Sequence, residues 1–187
     1  SYKQICFPDY GEPSSALVKM YLAGEFGTSP DDVNAYAASS FYAVDRYASY
    51  KKFWQKAYDA GTLIIAARYA TSNAIHQMSK LPRGEWDTYL DWLNTYEYGL
   101  LGLPRPDEVA FLDMPLDIAQ RLLSGRYAGD EGRKDIHERD LAYLKKCREA
   151  ALYAAAHDGW QVIACGADGE PFSEAAITES LIQRLGL

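Results

Sequence analysis

Short apolar runs bounded by glycine, proline or polar residues alternate along this chain with longer stretches in which apolar residues recur every three or four positions. The short runs predict buried strands and the longer ones predict helices packed on them. Lys3 to Phe7 is the first strand, ended by Pro8, which would remove a ladder hydrogen bond. Pro13-Ser14-Ser15 opens a helix to about Leu22, stopped at Gly24, and a long helix follows from Pro30-Asp31-Asp32 to Ala60, closed by Gly61. Leu63-Ile64-Ile65-Ala66-Ala67 predicts a second strand, after which Thr71-Ser72-Asn73 caps a helix running towards Lys80 and ended by Leu81-Pro82. Trp86 to Tyr98 is amphipathic at helical spacing.

In the second half, Gly102-Leu103-Pro104-Arg105-Pro106 predicts a rigid connection, Glu108 to Asp113 a strand ending before Pro115, and Leu116 to Ser124 a helix. The interval from Gly125 to Lys134 breaks periodicity with three glycines and many charges, which predicts a lid. A long helix from Asp135 to Ala156, a strand from Trp160 to Cys165, a turn over Gly166 to Gly169 and a terminal helix from Ser173 to Leu185 complete the pattern. Strands alternating with helices predict an α/β fold with a parallel sheet flanked by helices. Residues 1–187 fit a single domain.

Composition narrows the function. A net charge of −7 argues against broad capture of nucleic acid, which needs a basic surface to displace counterions. No run approaches a membrane span and no signal-peptide pattern opens the chain, so a cytoplasmic location is expected. Cys6, Cys147 and Cys165 are scattered, which predicts reduced buried thiols and no disulfide frame. His76, His137 and His157 show no paired-ligand spacing, and no protein-held metal site is expected. Fifteen tyrosines supply core or dimer-interface material.

The chemistry concentrates where strand Leu63 to Ala67 delivers Arg68-Tyr69 into Thr71-Ser72-Asn73, because ligands in α/β sheets sit beyond strand ends. A second arginine, Arg46, lies one helical turn after Tyr42, so both face one side of the long helix. Two arginines near aromatics, with Arg121, Arg126, Arg133 and Lys134 around a mobile segment, suit a ligand with a flat base at one end and phosphate at the other. Read from residues alone, a structural ion pair or a solvated charge is the better reading of each arginine, and Asn73 fits a helix cap or a local turn.

Phe7-Pro8-Asp9-Tyr10-Gly11, Tyr21 to Gly27, Asp45-Arg46-Tyr47, Arg68-Tyr69 at the strand end, Gly102 to Asp107 and the basic lid occur in an order that resembles the thymidylate kinases over essentially the whole chain. The resemblance implies a P-loop-kinase-like fold, ATP-dependent conversion of dTMP to dTDP, Mg2+ with the ATP, and a homodimer. It implies that Arg46 and Arg68 hold the acceptor phosphate, with Arg68 also stabilising charge in transfer, that Tyr42 stacks on thymine and that Asn73 reads its polar edge. Phe7, Tyr10, Tyr69, Ser72 and His76 then line the acceptor pocket, His137 and Glu138 make further acceptor contacts, and Arg121, Arg126, Arg133 and Lys134 belong to the lid.

Two features depart from that pattern. No GxxxxGK[ST] phosphate loop occurs in the 187 residues, whose opening Ser1 to Phe7 resembles the family's second strand, so these residues alone are expected to lack kinase activity. Ala67 stands where the family has the aspartate of its Asp-Arg motif. Three expectations stay open on this footing: a segment of an intact kinase, a degenerate nucleotide-binding protein, or a deoxynucleoside kinase. Arg46 weighs against the last, since a nucleoside has no 5′-phosphate for it to hold.

Overall fold

A computed structural model describes residues 2–126, with the Arg126 side chain excepted, and 141–186. The chain divides into two compact units, Ser1–Arg105 and Pro106–Leu187.

In the first unit, β1 (Tyr2–Cys6) pairs in parallel with β2 (Leu63–Ala67), with Tyr2 opposite Leu63 and Cys6 opposite Ala67. The crossover between them is helical. After a 3-10 turn at Pro13–Ser15 comes α1 (Ala16–Leu22), then α2 (Ala35–Ser49), a π-helical turn at Tyr50–Trp54 and α3 (Gln55–Asp59). The long helix begins later than the sequence predicts. Pro30–Asp32 forms a separate 3-10 turn closed by a Ser29–Asp32 capping box, and Asn34 caps α2 by accepting a hydrogen bond from the Ala37 amide at 2.9 Å. Two good caps, Ser29 and Asn34, lie five residues apart, and the second begins the helix.

Beyond β2 come α4 (Thr71–His76), a 3-10 turn at Met78–Lys80, α5 (Trp86–Asn94) and a π-helical turn at Thr95–Leu100. No side chain caps α4, so the expected cap at Thr71-Ser72-Asn73 is absent and Asn73 is buried instead. Phe7, Tyr50, Trp54, Tyr69 and Leu103 form an apolar cluster against which Ile5 and Ile64 pack. The roots of both strands are thereby fixed in one core.

In the second unit, β3 (Ala110–Asp113) pairs in parallel with β4 (Gln161–Ala164). Between them run α6 (Leu116–Arg126) and α7 (Leu141–Asp158), whose Ala150, Ala151, Ala154 and Ala155 are buried. Arg148 of α7 grips Asp113 with two hydrogen bonds of 2.7 and 2.8 Å. The predicted turn at Gly166 to Gly169 is part of a small antiparallel hairpin, β5 (Gly166–Ala167) with β6 (Glu170–Pro171), before α8 (Glu174–Leu185), which Ser173 caps. A Cβ on Gly166 would lie 2.7 Å from Ile118 and 2.8 Å from the Glu170 carbonyl, so this register requires glycine. All three cysteines are free, and Cys6 is exposed where the sequence predicts a buried thiol.

Candidate functional site

A concave space of about 260 Å³, open to solvent, lies in the first unit where β1, β2, α2 and α4 meet. Its lining can be followed element by element. The segment after β1 contributes Phe7 and Pro8, joined by a cis peptide bond. That segment is fastened to α2 by the buried carboxylate of Asp45, which accepts from the Asp9 amide at 2.8 Å and from the Ser14 hydroxyl at 2.6 Å. Helix α2 adds Tyr42 and Arg46, one turn apart as the spacing requires. Arg68 and Tyr69 follow the end of β2, and Ser72, Asn73 and His76 come from α4, with Gln77 just after it.

The two arginines differ in electrostatic state. Arg46 is 1% exposed and forks onto the equally buried Glu97: Nε donates to Oε2 at 2.8 Å and Nη2 donates to Oε1. Burial alone would lower the pKa of this guanidinium, but the charge and hydrogen bonds of Glu97 outweigh it and hold the group above its ordinary value. Its charge is compensated inside the protein. Arg68 is exposed, takes a left-handed backbone with φ 66°, and makes no ion pair or hydrogen bond among the described residues. Strained backbone of this kind persists where the surroundings over-determine it, and such positions concentrate at functional sites. Ala67, immediately before it, is exposed and brings no carboxylate.

Asn73 is tied inwards. Its Nδ2 donates to Glu97 Oε1 at 3.0 Å and to the Ser39 carbonyl at 3.3 Å, which uses both of its amide protons. Tyr69 also spends its polar atom on the protein, donating its hydroxyl to the Pro104 carbonyl at 3.0 Å. Its ring packs 6.0 Å from Phe7 and 6.3 Å from Trp54, centroid to centroid, so Tyr69 is an apolar wall. Tyr42 is buried with its ring edge-on to Tyr21 at 6.5 Å.

Two residues absent from the sequence-based candidates now stand out. Gln77 is 1% exposed, lines the space, and leaves both Nε2 and Oε1 without a hydrogen-bond partner among the described residues. A buried amide in that state carries an unrecovered desolvation penalty, which a ligand or water entering the space relieves. Glu97 lies directly behind Arg46 and Asn73. Each was detectable: Gln77 follows Asn73 by one turn, and Glu97 continues the buried stripe Trp86, Tyr89, Leu90, Leu93 by four residues. A polar residue on such a stripe needs a partner, and that was the signal.

The remaining candidates are placed elsewhere. Tyr10 is 51% exposed and does not line the space. In the second unit, Arg121 donates to the Gly169 carbonyl at 2.6 Å and reaches Glu170 at 3.3 Å, which engages it with the β5–β6 hairpin. Arg126 ends α6, while Arg133, Lys134, His137 and Glu138, and with them most of the expected lid, lie outside the described residues. Among the described residues no group of three or more His, Cys, Asp or Glu side chains converges to hold a metal ion.

Comparison with known proteins gives this geometry a family. The profile of the family described as Thymidylate kinase matches residues 8–170. A thymidylate kinase of Mycobacterium tuberculosis is 32% identical over 183 residues, covering 94% of this chain and 82% of the relative. A probable thymidylate kinase of Pyrobaculum aerophilum is 28% identical over 174 residues, covering 93% of this chain and 81% of that protein. A solved thymidylate kinase structure from Candida albicans shares the fold with a TM-score of 0.65 at 19% identity, covering 99% of this chain and 80% of that one. The α/β architecture, the profile match across both units and a relative at nearly one-third identity together establish that this chain belongs to the thymidylate kinase family, nucleoside monophosphate kinases of the transferase class.

Proposed function

We propose that the space between β1, β2, α2 and α4 is the acceptor site for dTMP, and that the chain serves a reaction in which ATP donates its terminal phosphoryl group to dTMP. An oxygen of the acceptor 5′-phosphate forms the new P–O bond, the bond to the β-phosphate of ATP breaks, and ADP and dTDP leave. The observation that carries this reading is the contrast between the two arginines. A free, exposed Arg68 at a strand end suits an anionic phosphate, whereas the polar wall of Arg46 and Asn73, neutralised from behind by Glu97, suits an uncharged base.

Arg68 donates to the acceptor phosphate and stabilises the charge that builds between donor and acceptor, a task of positioning and electrostatics. Tyr42 and Phe7 supply apolar faces for the base. Gln77, with one donor and one acceptor unspent, matches the N3–H and O4 pair of thymine; Arg46, through the Nη1 left over from its ion pair, adds one donor. Ser72 and His76 line the same wall, and Tyr69 closes it. ATP is the family's usual donor, and Mg2+ enters the proposal with it. The described residues offer no carboxylate cluster for the ion, so no step is assigned through it.

A cytoplasmic homodimer completes the proposal. Exposed Val44 and Tyr47 on α2 give it an apolar surface, and no described helix is long and apolar enough to cross a membrane. The net charge of −7 keeps nucleic acid outside the reading.

Calorimetric titration tests the acceptor assignment. dTMP binds at least about tenfold more tightly than thymidine, the least that one charge-assisted hydrogen bond contributes. Equal affinities remove the phosphate from the site and overturn the assignment.

A further inference from the structure

Beneath the pocket wall runs a continuous buried polar network. Ser39 and Tyr89 share a 2.6 Å hydrogen bond, the Tyr89 hydroxyl reaches the Asn73 carbonyl at 3.4 Å, the Asn73 amide donates to Glu97 at 3.0 Å, and Glu97 receives the fork of Arg46. Glu97 is the only carboxylate in this chain of contacts. It is fully buried, and the Leu103 amide donates to its backbone carbonyl at 3.0 Å, which anchors the π-helical turn that carries it. It touches no pocket surface, yet it holds two side chains that do.

A buried ion pair is expensive to desolvate, and well-packed apolar residues in place of both partners commonly leave a fold as stable or more so. Stability alone therefore gives a weak reason for the Arg46–Glu97 pair. Its effect on the wall is specific. With the carboxylate present, Arg46 offers one nitrogen to the pocket in a fixed orientation, and its positive charge is compensated by Glu97 and draws no anion. Asn73 is held in one amide orientation, because its nitrogen must face the carboxylate. Without it, the same wall would be a cationic, rotatable arginine beside an unconstrained amide, a surface that takes phosphate as readily as a base.

We propose that Glu97 is a positioning residue that makes the base end of the acceptor pocket electrically neutral and geometrically fixed, leaving phosphate recognition to Arg68. This inference rests on the acceptor-site reading given above. It predicts an unusual pattern of losses. Glu97→Gln weakens thymidine and dTMP by the same factor, about tenfold or more, so that the ratio of the two affinities is unchanged. The same variant lets inorganic phosphate compete with thymidine, which it does not do in the unaltered protein.

The test is titration of the full chain and its variants with thymidine, dTMP and inorganic phosphate, beside thermal unfolding. Tyr89→Phe is the structural control: it breaks the far end of the network without altering the pocket lining, and thymidine affinity stays within about twofold even where the melting temperature falls. If Glu97→Gln does not fold, Glu97→Asp decides. It keeps the charge but is too short to reach both Arg46 and Asn73, and both ligands then weaken about threefold or more in parallel. Unchanged affinities in whichever of these variants folds, losses confined to dTMP, or an equal loss in Tyr89→Phe would overturn the positioning role. An unaltered protein that binds neither thymidine nor dTMP overturns the acceptor-site reading itself, and the role of Glu97 with it.

Discussion

At the scale of single residues, Arg68 combines two properties that mutation can separate. Its left-handed backbone, φ 66°, presses Cβ against the chain at about 1–2 kcal/mol relative to glycine, and its free guanidinium is the group proposed for the acceptor phosphate. Arg68→Ala keeps the strain and removes the charge, whereas Arg68→Gly removes both. Thermal unfolding is expected to rank glycine above alanine at this position, the reverse of their order inside a helix. Both variants lose dTMP affinity by about 1.5–3 kcal/mol, the scale of a hydrogen bond to a charged group. A glycine variant that melts below the alanine variant shows that the backbone is held in place without strain. Arg46 behaves in the opposite way. Arg46→Ala leaves Glu97 as an uncompensated buried charge, and breaking such a pair destabilises by about 3–5 kcal/mol, so urea denaturation without ligand reports this variant first. Unchanged unfolding in Arg46→Ala means that the pair is not formed in solution.

At the scale of elements, α4 and the turn after it hold a second trade-off between stability and binding. Gln77 keeps two polar atoms without a hydrogen-bond partner among the described residues in the wall of the pocket. Gln77→Met, of similar length and without the amide, is expected to raise the melting temperature of the free protein and to lower dTMP affinity at least about tenfold, since the variant loses a donor–acceptor pair but sheds its desolvation penalty. A variant both less stable and fully competent to bind refutes this account of Gln77. The same elements show what the sequence makes legible. Period and punctuation locate the β2 strand to the residue, the helix behind Asn73 and the turn that carries Tyr42 and Arg46, because apolar runs and glycine stops are local signals. They do not disclose that Asn73 faces inwards, because capping and burial compete for the same residue and the outcome depends on a carboxylate two elements away. Nor do they reveal Glu97, which reads as one more polar residue near the end of an amphipathic helix until the stripe from Trp86 to Leu93 is carried one turn further.

At the scale of the whole molecule, both units are built around parallel strand pairs, and buried phenols in the first set a limit at alkaline pH. Burial pushes the pKa of Tyr69 and of Tyr89 well above the ordinary tyrosine range; for Tyr89, the hydrogen bond to Ser39 pulls the other way without reversing the shift. In the unfolded chain these phenols ionise near about pH 10. A group whose folded pKa is raised contributes stability that is fully present below its unfolded pKa and is lost as the pH rises above it towards the folded value. Stability is therefore expected to hold to about pH 9 and to decline steeply beyond it, because the unfolded state sheds protons that the folded state must keep. Tyr69→Phe and Tyr89→Phe each make that decline shallower, whatever they do to stability at neutral pH, since a phenylalanine has no proton to release from either state. Urea denaturation midpoints between pH 8 and about pH 11 measure the slope directly. Equal slopes in the unaltered protein and both variants would show that the two phenols ionise alike in the folded and unfolded chain, and would place the alkaline limit in other groups.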